Sequence, residues 1–128
     1  MDSALEIIEK VYAAFAAGDL DALLGLCAPD IVLTQDPALP WGGSYRGADG
    51  AAEFAVKLVS ATDSVVTPEL LFAAGNDVVQ VGRTSGTVRS NGAAFDVAEC
   101  HVWTVRDGLV TAARFYLDSV SMLEALAS

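Results

Sequence analysis

The sequence predicts a single α+β domain over residues 1–128, in which a cone-shaped, curved antiparallel sheet packs on three N-terminal helices and encloses an internal pocket. In the first half of the chain, apolar residues recur at helical spacing. In the second half, apolar and polar residues alternate at strand spacing, with turn residues between the runs. Helices followed by a series of hairpins indicate an antiparallel sheet with helices on one face. A strongly curved sheet of this kind leaves a conical pocket at one end.

The first two predicted helices are defined by their ends. The first spans residues 3–17, where Ser3 and Glu6 can form a capping box. Asp19 is suited to cap the start of a second helix, which extends to about Cys27. A proline two residues later breaks the helical pattern.

An irregular segment separates the second helix from the third. A short apolar strand at residues 31–35 leads into residues 36–47, which hold two prolines, three glycines and two large aromatic residues. This composition does not form a regular element, and we interpret the segment as the rim of the pocket. The third helix spans residues 49–61. Its inward-facing apolar residues are Phe54, Leu58 and Val59.

Four strands are predicted to follow, joined by hairpin turns. Asn-Gly and Asp-Gly pairs, which favour tight turns between antiparallel strands, occur on either side of the third of these strands. The strands span residues 65–73, 78–89, 94–105 and 109–117, and residues 119–127 form a short final helix.

The strand at residues 94–105 carries the strongest functional pattern. Its bulky residues alternate with small or polar ones, so that the bulky residues share one face. The residues on this face are Phe95, Val97, Glu99, His101, Trp103 and Val105. His101, the only histidine, is a candidate acid, base or hydrogen-bond donor, and Glu99 could orient its ring. The alternatives are a buried histidine satisfied by Glu99 or a backbone carbonyl, and a Glu99 that is solvated at the sheet edge.

Further candidate residues lie outside this strand. Asp36 is a candidate general base in an apolar pocket, although an Asp before a proline often only initiates a turn. Tyr12 lies on the inward stripe of the first helix, and its buried hydroxyl needs a partner, for which the histidine or a ligand is suited. The aromatic residues Trp41, Tyr45 and Trp103 could wall a flat apolar ligand. Ordinary core packing is equally compatible with Trp103.

Composition restricts the classes of partner. The chain carries 17 acidic and 7 basic side chains, and its net charge of −10 disfavours nucleic acid and anionic membrane surfaces as partners. No apolar run is long enough for a transmembrane helix, and the acidic N-terminus is unlike a signal peptide.

Two isolated cysteines and one histidine predict a reduced, cytoplasmic protein with buried thiols and no metal site. Hydrophobic residues make up 53% of the chain, and we expect the surplus apolar surface to form a homodimer interface.

Three segments carry a family resemblance. They are YAAFAAGDLDALLGLCAPDIVL near the N-terminus, QDP…WGGSYRGADGAAEF in the middle and HVWTVRDGLVTAARFYLD near the end. On these motifs the chain resembles the nuclear transport factor 2-like superfamily, and within it the SnoaL-like and ketosteroid isomerase-like branch, over nearly its whole length. The resemblance implies the cone-shaped fold and a dimer formed through the outer face of the sheet. It does not imply one activity, because the superfamily includes isomerases, cyclases, dehydratases and binding domains.

The resemblance also implies roles for particular positions. Steroid isomerases of this fold place a general base where this chain has Gln35 or Asp36, and an oxyanion donor where it has His101. Their helix tyrosine aligns one residue before Tyr12. Because two of these three roles are changed or displaced, we do not expect authentic steroid isomerase activity. Polyketide cyclases of the SnoaL type retain a histidine near His101, but their acid/base aspartate aligns with Phe115.

We therefore expect a protein that binds a small, largely apolar molecule, including a cyclic carbonyl compound, in a conical pocket. The enzymatic hypothesis is cofactor-free acid/base chemistry of the isomerase, cyclase or dehydratase type, with His101, Asp36 and Tyr12 as catalytic residues and no metal. Under this hypothesis the ligand-contacting residues are Gln35, Trp41, Tyr45, Phe54, Glu99, Trp103 and Phe115. The alternatives are a non-catalytic ligand-binding domain and a dimeric interaction domain of the same fold.

Overall fold

The computed structural model describes residues 2–128 and has four helices and six strands in this range. In chain order the elements are α1 (Ala4–Ala17), α2 (Leu20–Gly25), β1 (Cys27–Gln35), β2 (Gly43–Arg46), α3 (Gly47–Ala61), β3 (Thr62–Ala74), β4 (Asp77–Val88), β5 (Ala94–Arg106), β6 (Leu109–Leu117) and α4 (Ser119–Leu126). The four strands predicted for the second half of the chain are all present, with small shifts at their ends. The short final helix is present as well.

The six strands form one unclosed, curved sheet in the order β2-β1-β6-β5-β4-β3. Four of the five neighbouring pairs are antiparallel, as predicted, whereas β1 pairs with β6 in parallel. This parallel pair joins a strand from the N-terminal part of the chain to the last strand. The α+β cone predicted from the sequence is therefore the observed fold, with one parallel pair inside its sheet.

The first two helices begin where the sequence predicts capping. The Ser3 hydroxyl accepts a hydrogen bond from the Glu6 N–H, and the Glu6 carboxylate accepts one from the Ser3 N–H, both at 3.2 Å. Asp19 likewise accepts from the Ala22 N–H at 3.0 Å. Because the first N–H groups of a helix have no partner within it, these side chains determine where α1 and α2 start.

The segment between α2 and α3 is more regular than its composition predicts. Strand β1 begins at Cys27, so that the proline-containing residues predicted to be a break lie within it. Strand β2 lies inside the segment interpreted as irregular and pairs with β1. Pairing with a neighbouring strand outweighs the local preferences of these residues. In α3, the side chain of Val59 is 60% exposed, so the prediction that it faces inward is wrong.

The core lies between the helices and the inner face of the sheet. One buried cluster joins α1 to the central strands, with Ile8, Ile31, Val78 and Val110 among its members. A second cluster includes Trp41, Val88, Phe95 and Met122. Phe54 of α3 packs against both clusters. Within residues 2–128, none of the helices has both the length and the apolar character needed to cross a lipid bilayer.

The outer face of the sheet is exposed and partly apolar. Its large exposed side chains include Leu70, Phe72, Val81 and Tyr116. Cys100 lies on this face, whereas Cys27 lies near the helices. Both are free thiols, and both are partly exposed rather than fully buried as expected. The reduced, cytoplasmic location that the cysteines indicate stays a prediction.

The turn that carries Trp41 leaves no room for a side chain at Gly42. A Cβ atom at Gly42 would lie 1.8 Å from the backbone oxygen of Asp36 and 2.9 Å from Cα of Pro37. We expect Gly42→Ala to lower the free energy of unfolding by about 1–3 kcal/mol, because the turn must open to admit the methyl group. Urea unfolding monitored by circular dichroism measures this change.

Gly25→Ala is the matched control for this substitution. A Cβ atom at Gly25 meets nothing within 4 Å. We expect its free energy of unfolding to stay within about 0.5 kcal/mol of the wild-type value. An equal decrease in the free energy of unfolding in the two variants would contradict the close packing of the Gly42 turn.

Candidate functional site

A cavity of about 190 Å³ lies between the helices and the inner face of the sheet. Its lining is largely apolar and includes side chains from both core clusters. The aromatic side chains of the lining include Tyr12, Trp41, Phe54, Phe95, Trp103 and Phe115. For comparison, a dry apolar cavity of roughly 150 Å³ accommodates benzene. The cavity is therefore large enough for a small ring compound.

The short helix α2 forms part of the cavity wall. Leu20, Leu23 and Leu24 line the cavity, although no residue of α2 is fully buried. Phe15, near the end of α1, also lines the cavity and is 53% exposed. Because these side chains face both the cavity and solvent, the mouth of the cavity lies where α1 meets α2.

One wall of the cavity is polar, and the Tyr12 hydroxyl lies at its centre. Trp103 Nε1 and Gln80 Nε2 each donate a hydrogen bond to Tyr12 Oη, at 2.9 and 3.2 Å. These two bonds fill both acceptor positions of the hydroxyl oxygen, so the Tyr12 hydrogen is left for His101 Nδ1, 2.8 Å away. The imidazole therefore accepts at Nδ1 and carries its own hydrogen on Nε2. Burial raises the pKa of Tyr12 to about 12, which keeps the hydroxyl protonated at neutral pH.

His101 lines the cavity, and Glu99 contacts its ring from outside the cavity. His101 Nε2 and Glu99 Oε2 are 3.2 Å apart. Burial lowers the pKa of His101 to about 4, so the ring is neutral at pH 7. Burial also raises the pKa of the Glu99 carboxyl.

The environment of Glu99 corrects two expectations. Its side chain is buried, with the residue only 4% exposed, so the alternative of a solvated residue at the sheet edge is wrong. It does not line the cavity, so it is not placed to contact a ligand directly. Its contacts are with His101 and Gln80, and the interpretation that it orients the histidine ring agrees with this geometry.

Gln80 is the residue of this site that the sequence pattern did not reveal. It is fully buried on β4, directly opposite His101 on β5. Its amide nitrogen lies 3.1 Å from His101 Nδ1 and donates to Glu99 Oε2 at 3.0 Å. The sequence feature that could have identified it is a glutamine at an inward position of a valine-rich strand, where an apolar residue is expected.

The end of β1 distinguishes Gln35 from Asp36. Gln35 lines the cavity, and its Oε1 accepts a hydrogen bond from Trp41 Nε1 at 2.8 Å. Asp36 lies outside, where its carboxylate accepts from the Ala38 N–H at 2.9 Å and from the Ser119 hydroxyl at 2.8 Å. These bonds lower the pKa of Asp36, opposite to the shift that a base in an apolar pocket needs. The prediction of Asp36 as a catalytic base is therefore wrong, and it has the alternative role of a turn residue.

Aromatic rings surround Phe115 on the floor of the cavity. The ring of Phe115 lies edge-to-face with His101 at 4.9 Å and with Trp103 at 5.4 Å, and it stacks on Phe54 at 5.4 Å. In the sheet, Phe115 of β6 lies between Gln35 of β1 and His101 of β5. Two strand spacings separate the Cα atoms of Gln35 and His101 by about 10 Å. The Phe115 ring thus lies between two polar positions.

Tyr45 does not line the cavity, which corrects its interpretation as a ligand contact. Its hydroxyl donates to the backbone oxygens of Trp41 and Gly42 at 3.0 and 3.1 Å. A buried hydroxyl needs such a partner, and the loop supplies one. The remaining predicted site residues all line the cavity, and they are Tyr12, Gln35, Trp41, Phe54, His101, Trp103 and Phe115.

Cys27 is another titratable side chain on the cavity wall. Its Sγ donates to the Leu23 backbone oxygen at 3.2 Å, and burial raises the pKa of the thiol. The thiol is therefore protonated at neutral pH and a poor nucleophile. Among residues 2–128, no three histidine, cysteine or acidic side chains lie close enough together to hold a metal ion.

The cone fold agrees with comparisons to known proteins. Residues 8–113 match the family described as the SnoaL-like domain. The chain belongs to the SnoaL-like family. The resemblance drawn from the three sequence motifs is thereby confirmed.

Several known proteins are similar to this chain over nearly its whole length. An uncharacterized protein of Mycobacterium tuberculosis is 28% identical over 121 residues, which are 91% of each chain. The crystal structure of an NTF2-like protein from Burkholderia thailandensis aligns with a TM-score of 0.92 at 30% identity and covers 98% of both chains. The crystal structure of TerC, co-crystallized with polyporic acid, aligns with a TM-score of 0.87 at 25% identity and also covers 98% of both chains.

Burial of His101 makes the stability of this SnoaL-like protein depend on pH. The unfolded chain binds a proton at His101 near pH 6.5, whereas the folded protein binds it near pH 4. Lowering the pH through this window therefore favours the unfolded state, by up to about 3 kcal/mol for a shift of this size. We expect the wild type to lose about 2 kcal/mol more than His101→Gln between pH 7 and about pH 4.5, as measured by urea unfolding.

Glu99 also makes the stability of the folded protein depend on pH, but with the opposite sign. Because its folded pKa is raised, its contribution to stability is present at low pH and is lost as the pH rises through that pKa. Glu99 is present in both proteins, so the difference between wild type and His101→Gln mainly reports the histidine. Identical pH dependence in the two proteins would contradict a buried, neutral His101.

Proposed function

We propose that this SnoaL-like protein binds a small, largely apolar ring compound that carries a carbonyl or hydroxyl oxygen. The observation that supports this most directly is an aromatic-lined cavity of about 190 Å³ with one polar wall formed by Tyr12 and His101. Burying an apolar ring against Phe54, Phe115 and the other apolar side chains of the lining would provide affinity, and a few polar groups would orient it.

One polar group of the cavity is free to orient the ligand. The Oε1 of Gln35 is held by Trp41, and its amide nitrogen has no hydrogen-bond partner among residues 2–128. This nitrogen is therefore a preoriented donor for a ligand oxygen. On the other side of Phe115, the hydrogen-bonding groups of Tyr12 and His101 are already paired within the protein. A ring with one oxygen substituent matches this arrangement, and the structure of the relative TerC with polyporic acid supports a small-molecule ligand.

Ligand binding fits the site better than acid/base chemistry with two catalytic groups. The amide of Gln35 cannot transfer a proton, and Asp36 lies outside the cavity. Both ring nitrogens of His101 already contact protein groups. Cofactor-free isomerase, cyclase or dehydratase chemistry is the second candidate. This chemistry is limited to reactions in which His101 alone accepts the proton. Its ring is neutral and can therefore act as a base.

Ala55 and Val56 of α3 offer a matched pair of substitutions to test binding. Ala55 lines the cavity, whereas Val56 is 66% exposed. We expect Ala55→Phe to fill the cavity and weaken binding of 1-tetralone and 2-naphthol at least about tenfold, or about 1.4 kcal/mol, while Val56→Phe binds as the wild type does. Both tryptophans, Trp41 and Trp103, line the cavity, so quenching of intrinsic fluorescence measures binding.

Two results would contradict the binding proposal. One is binding that Ala55→Phe leaves unchanged, and the other is no wild-type binding to any member of a panel of cyclic ketones and phenols. Incorporation of solvent deuterium beside the carbonyl of 1-tetralone tests the catalytic candidate in the same samples. Incorporation that His101→Gln abolishes would favour catalysis, and binding without incorporation would favour a ligand-binding protein.

We also propose that two copies associate through the outer face of the sheet. The exposed apolar side chains of this face would be covered in such a dimer. Two ion pairs lie on the same face, Arg83 with Asp96 at 2.6 Å and Arg114 with Asp77 at 3.5 Å. In a chain with a net charge of −10, these pairs reduce the repulsion between two copies that meet through this face.

Light scattering at micromolar concentration tests this association. We expect a dimer for the wild type and a monomer for Val81→Glu, because the substitution places two carboxylates at the proposed interface. Val59→Glu is the control, because it adds the same charge at an exposed position of α3, and it is expected to stay dimeric. A monomeric wild type would contradict the proposal.

A further inference from the structure

The hydrogen-bond donors and acceptors around Gln80 do not balance. Its amide nitrogen has two hydrogens but lies near three acceptors: Tyr12 Oη at 3.2 Å, Glu99 Oε2 at 3.0 Å and His101 Nδ1 at 3.1 Å. His101 Nδ1 already accepts from Tyr12. At the same time, Gln80 Oε1 and Glu99 Oε1 are buried with no hydrogen-bond partner among residues 2–128. Buried oxygens without a donor are costly, so this arrangement leaves the network short of donors.

The two oxygens without a donor face the same small space beside Gly82. A Cβ atom at Gly82 would lie 2.7 Å from Gln80 Oε1 and 3.0 Å from Glu99 Oε1. The backbone oxygen of Thr67 would lie 2.3 Å from the same point. Three oxygens therefore converge where glycine has no side chain. A nitrogen in place of one of these oxygens would supply the missing hydrogens.

We propose that the Gln80 carboxamide rotates by about 180° when His101 takes up a proton, and that Gln80 thereby sets how readily the ring accepts one. The rotation exchanges the amide nitrogen and oxygen, which are similar in size. The nitrogen then faces the space beside Gly82 and donates towards Glu99 Oε1. The oxygen takes the central position, where it accepts from the newly protonated Nδ1 of His101.

The rotated state satisfies the charged ring. The imidazolium has two N–H donors, of which Nδ1–H faces the Gln80 oxygen and Nε2–H faces Glu99 Oε2, 3.2 Å away. Glu99 exchanges the Gln80 donor at Oε2 for one at Oε1, and the positive charge of the ring offsets the approach of the Gln80 oxygen to Oε2. The Tyr12 hydroxyl still accepts from Trp103 and turns its hydrogen from Nδ1 to the second acceptor position of the Gln80 oxygen. The change adds one proton, taken from solvent or from an acidic ligand, to Nδ1 and alters no other bond to hydrogen.

Within residues 2–128, no other group around the His101 ring links its protonation to an exchange of donor and acceptor. The titratable groups that face it are Glu99 on the same strand and Tyr12 on α1, while the neighbouring strand β6 contributes Phe115. The charge of Glu69 on β3 acts on Glu99 and Arg83 and is not among the causes of the His101 pKa shift. Gln80 is fully buried and does not line the cavity, so it is a positioning residue. The rotation needs no ligand and is therefore independent of the proposed function.

A pH titration of the wild-type protein followed by ¹⁵N NMR tests the rotation without any substitution. His101 is the only histidine, so its ring signals are unambiguous. We expect the side-chain amide signals of Gln80 to shift with the same midpoint as the ring nitrogens. A Gln80 signal that stays constant while His101 titrates, or a ring that stays neutral until the protein unfolds in acid, would overturn the proposal.

Substitution of Gln80 tests its effect on the ring. Gln80→Met keeps a similar shape but removes both the donor and the acceptor, so the proton affinity of His101 should fall at least tenfold. Gln80→Glu supplies an acceptor at the central position and should raise that affinity above the wild-type value. Thr84→Val is the control, because Thr84 lies on the same strand and lines the cavity but makes no hydrogen bond to His101 within residues 2–128. A titration midpoint in Gln80→Met equal to that of the wild type would overturn the proposal.

Discussion

The hydrogen bonds to the Tyr12 hydroxyl hold helix α1 against the sheet and so define the polar side of the cavity. Tyr12 and His101 are 89 positions apart in the chain, and they meet because α1 packs on the inner face of the sheet. Trp103 and Gln80 donate to the same oxygen from two neighbouring strands. A buried hydroxyl without partners would destabilise the fold by about 1–3 kcal/mol. The bonds that form the polar wall are therefore also the bonds that fix the position of the helix.

Much of the fold could be predicted because it depends on local chemistry. Ser3 and Asp19 cap the helices that the sequence indicates, since a helix start needs acceptors nearby in the chain. Alternation along the strand that became β5 places His101 and Trp103 on the cavity side, because alternate residues of a strand share a face. Strand β2 could not be predicted in this way, because Gly43–Arg46 is extended through its pairing with β1 and not through its composition.

The site was less predictable than the fold, because its contacts depend on the register between strands that are distant in sequence. Gln80 faces His101 only through the pairing of β4 with β5. Asp36 turns outward because its carboxylate caps the turn that follows β1, and this leaves Gln35 as the last inward residue of the strand. Polar residues at inward positions thus indicated where a site lies, whereas strand pairing decided which of them meet.

The parallel pairing of β1 with β6 has a consequence for the order in which the protein folds. The strands from β3 to β6 are joined in sequence and pair through local contacts, but Gln35 meets Phe115 only after a long intervening segment of chain has closed. Closure of so long a loop is entropically unfavourable and slow. During synthesis on the ribosome, the leucines of α2 and the aromatic residues of the lining therefore stay uncovered until β6 has emerged. The nascent chain is thus prone to aggregate until β6 has emerged, and a chaperone would have its greatest effect before that point.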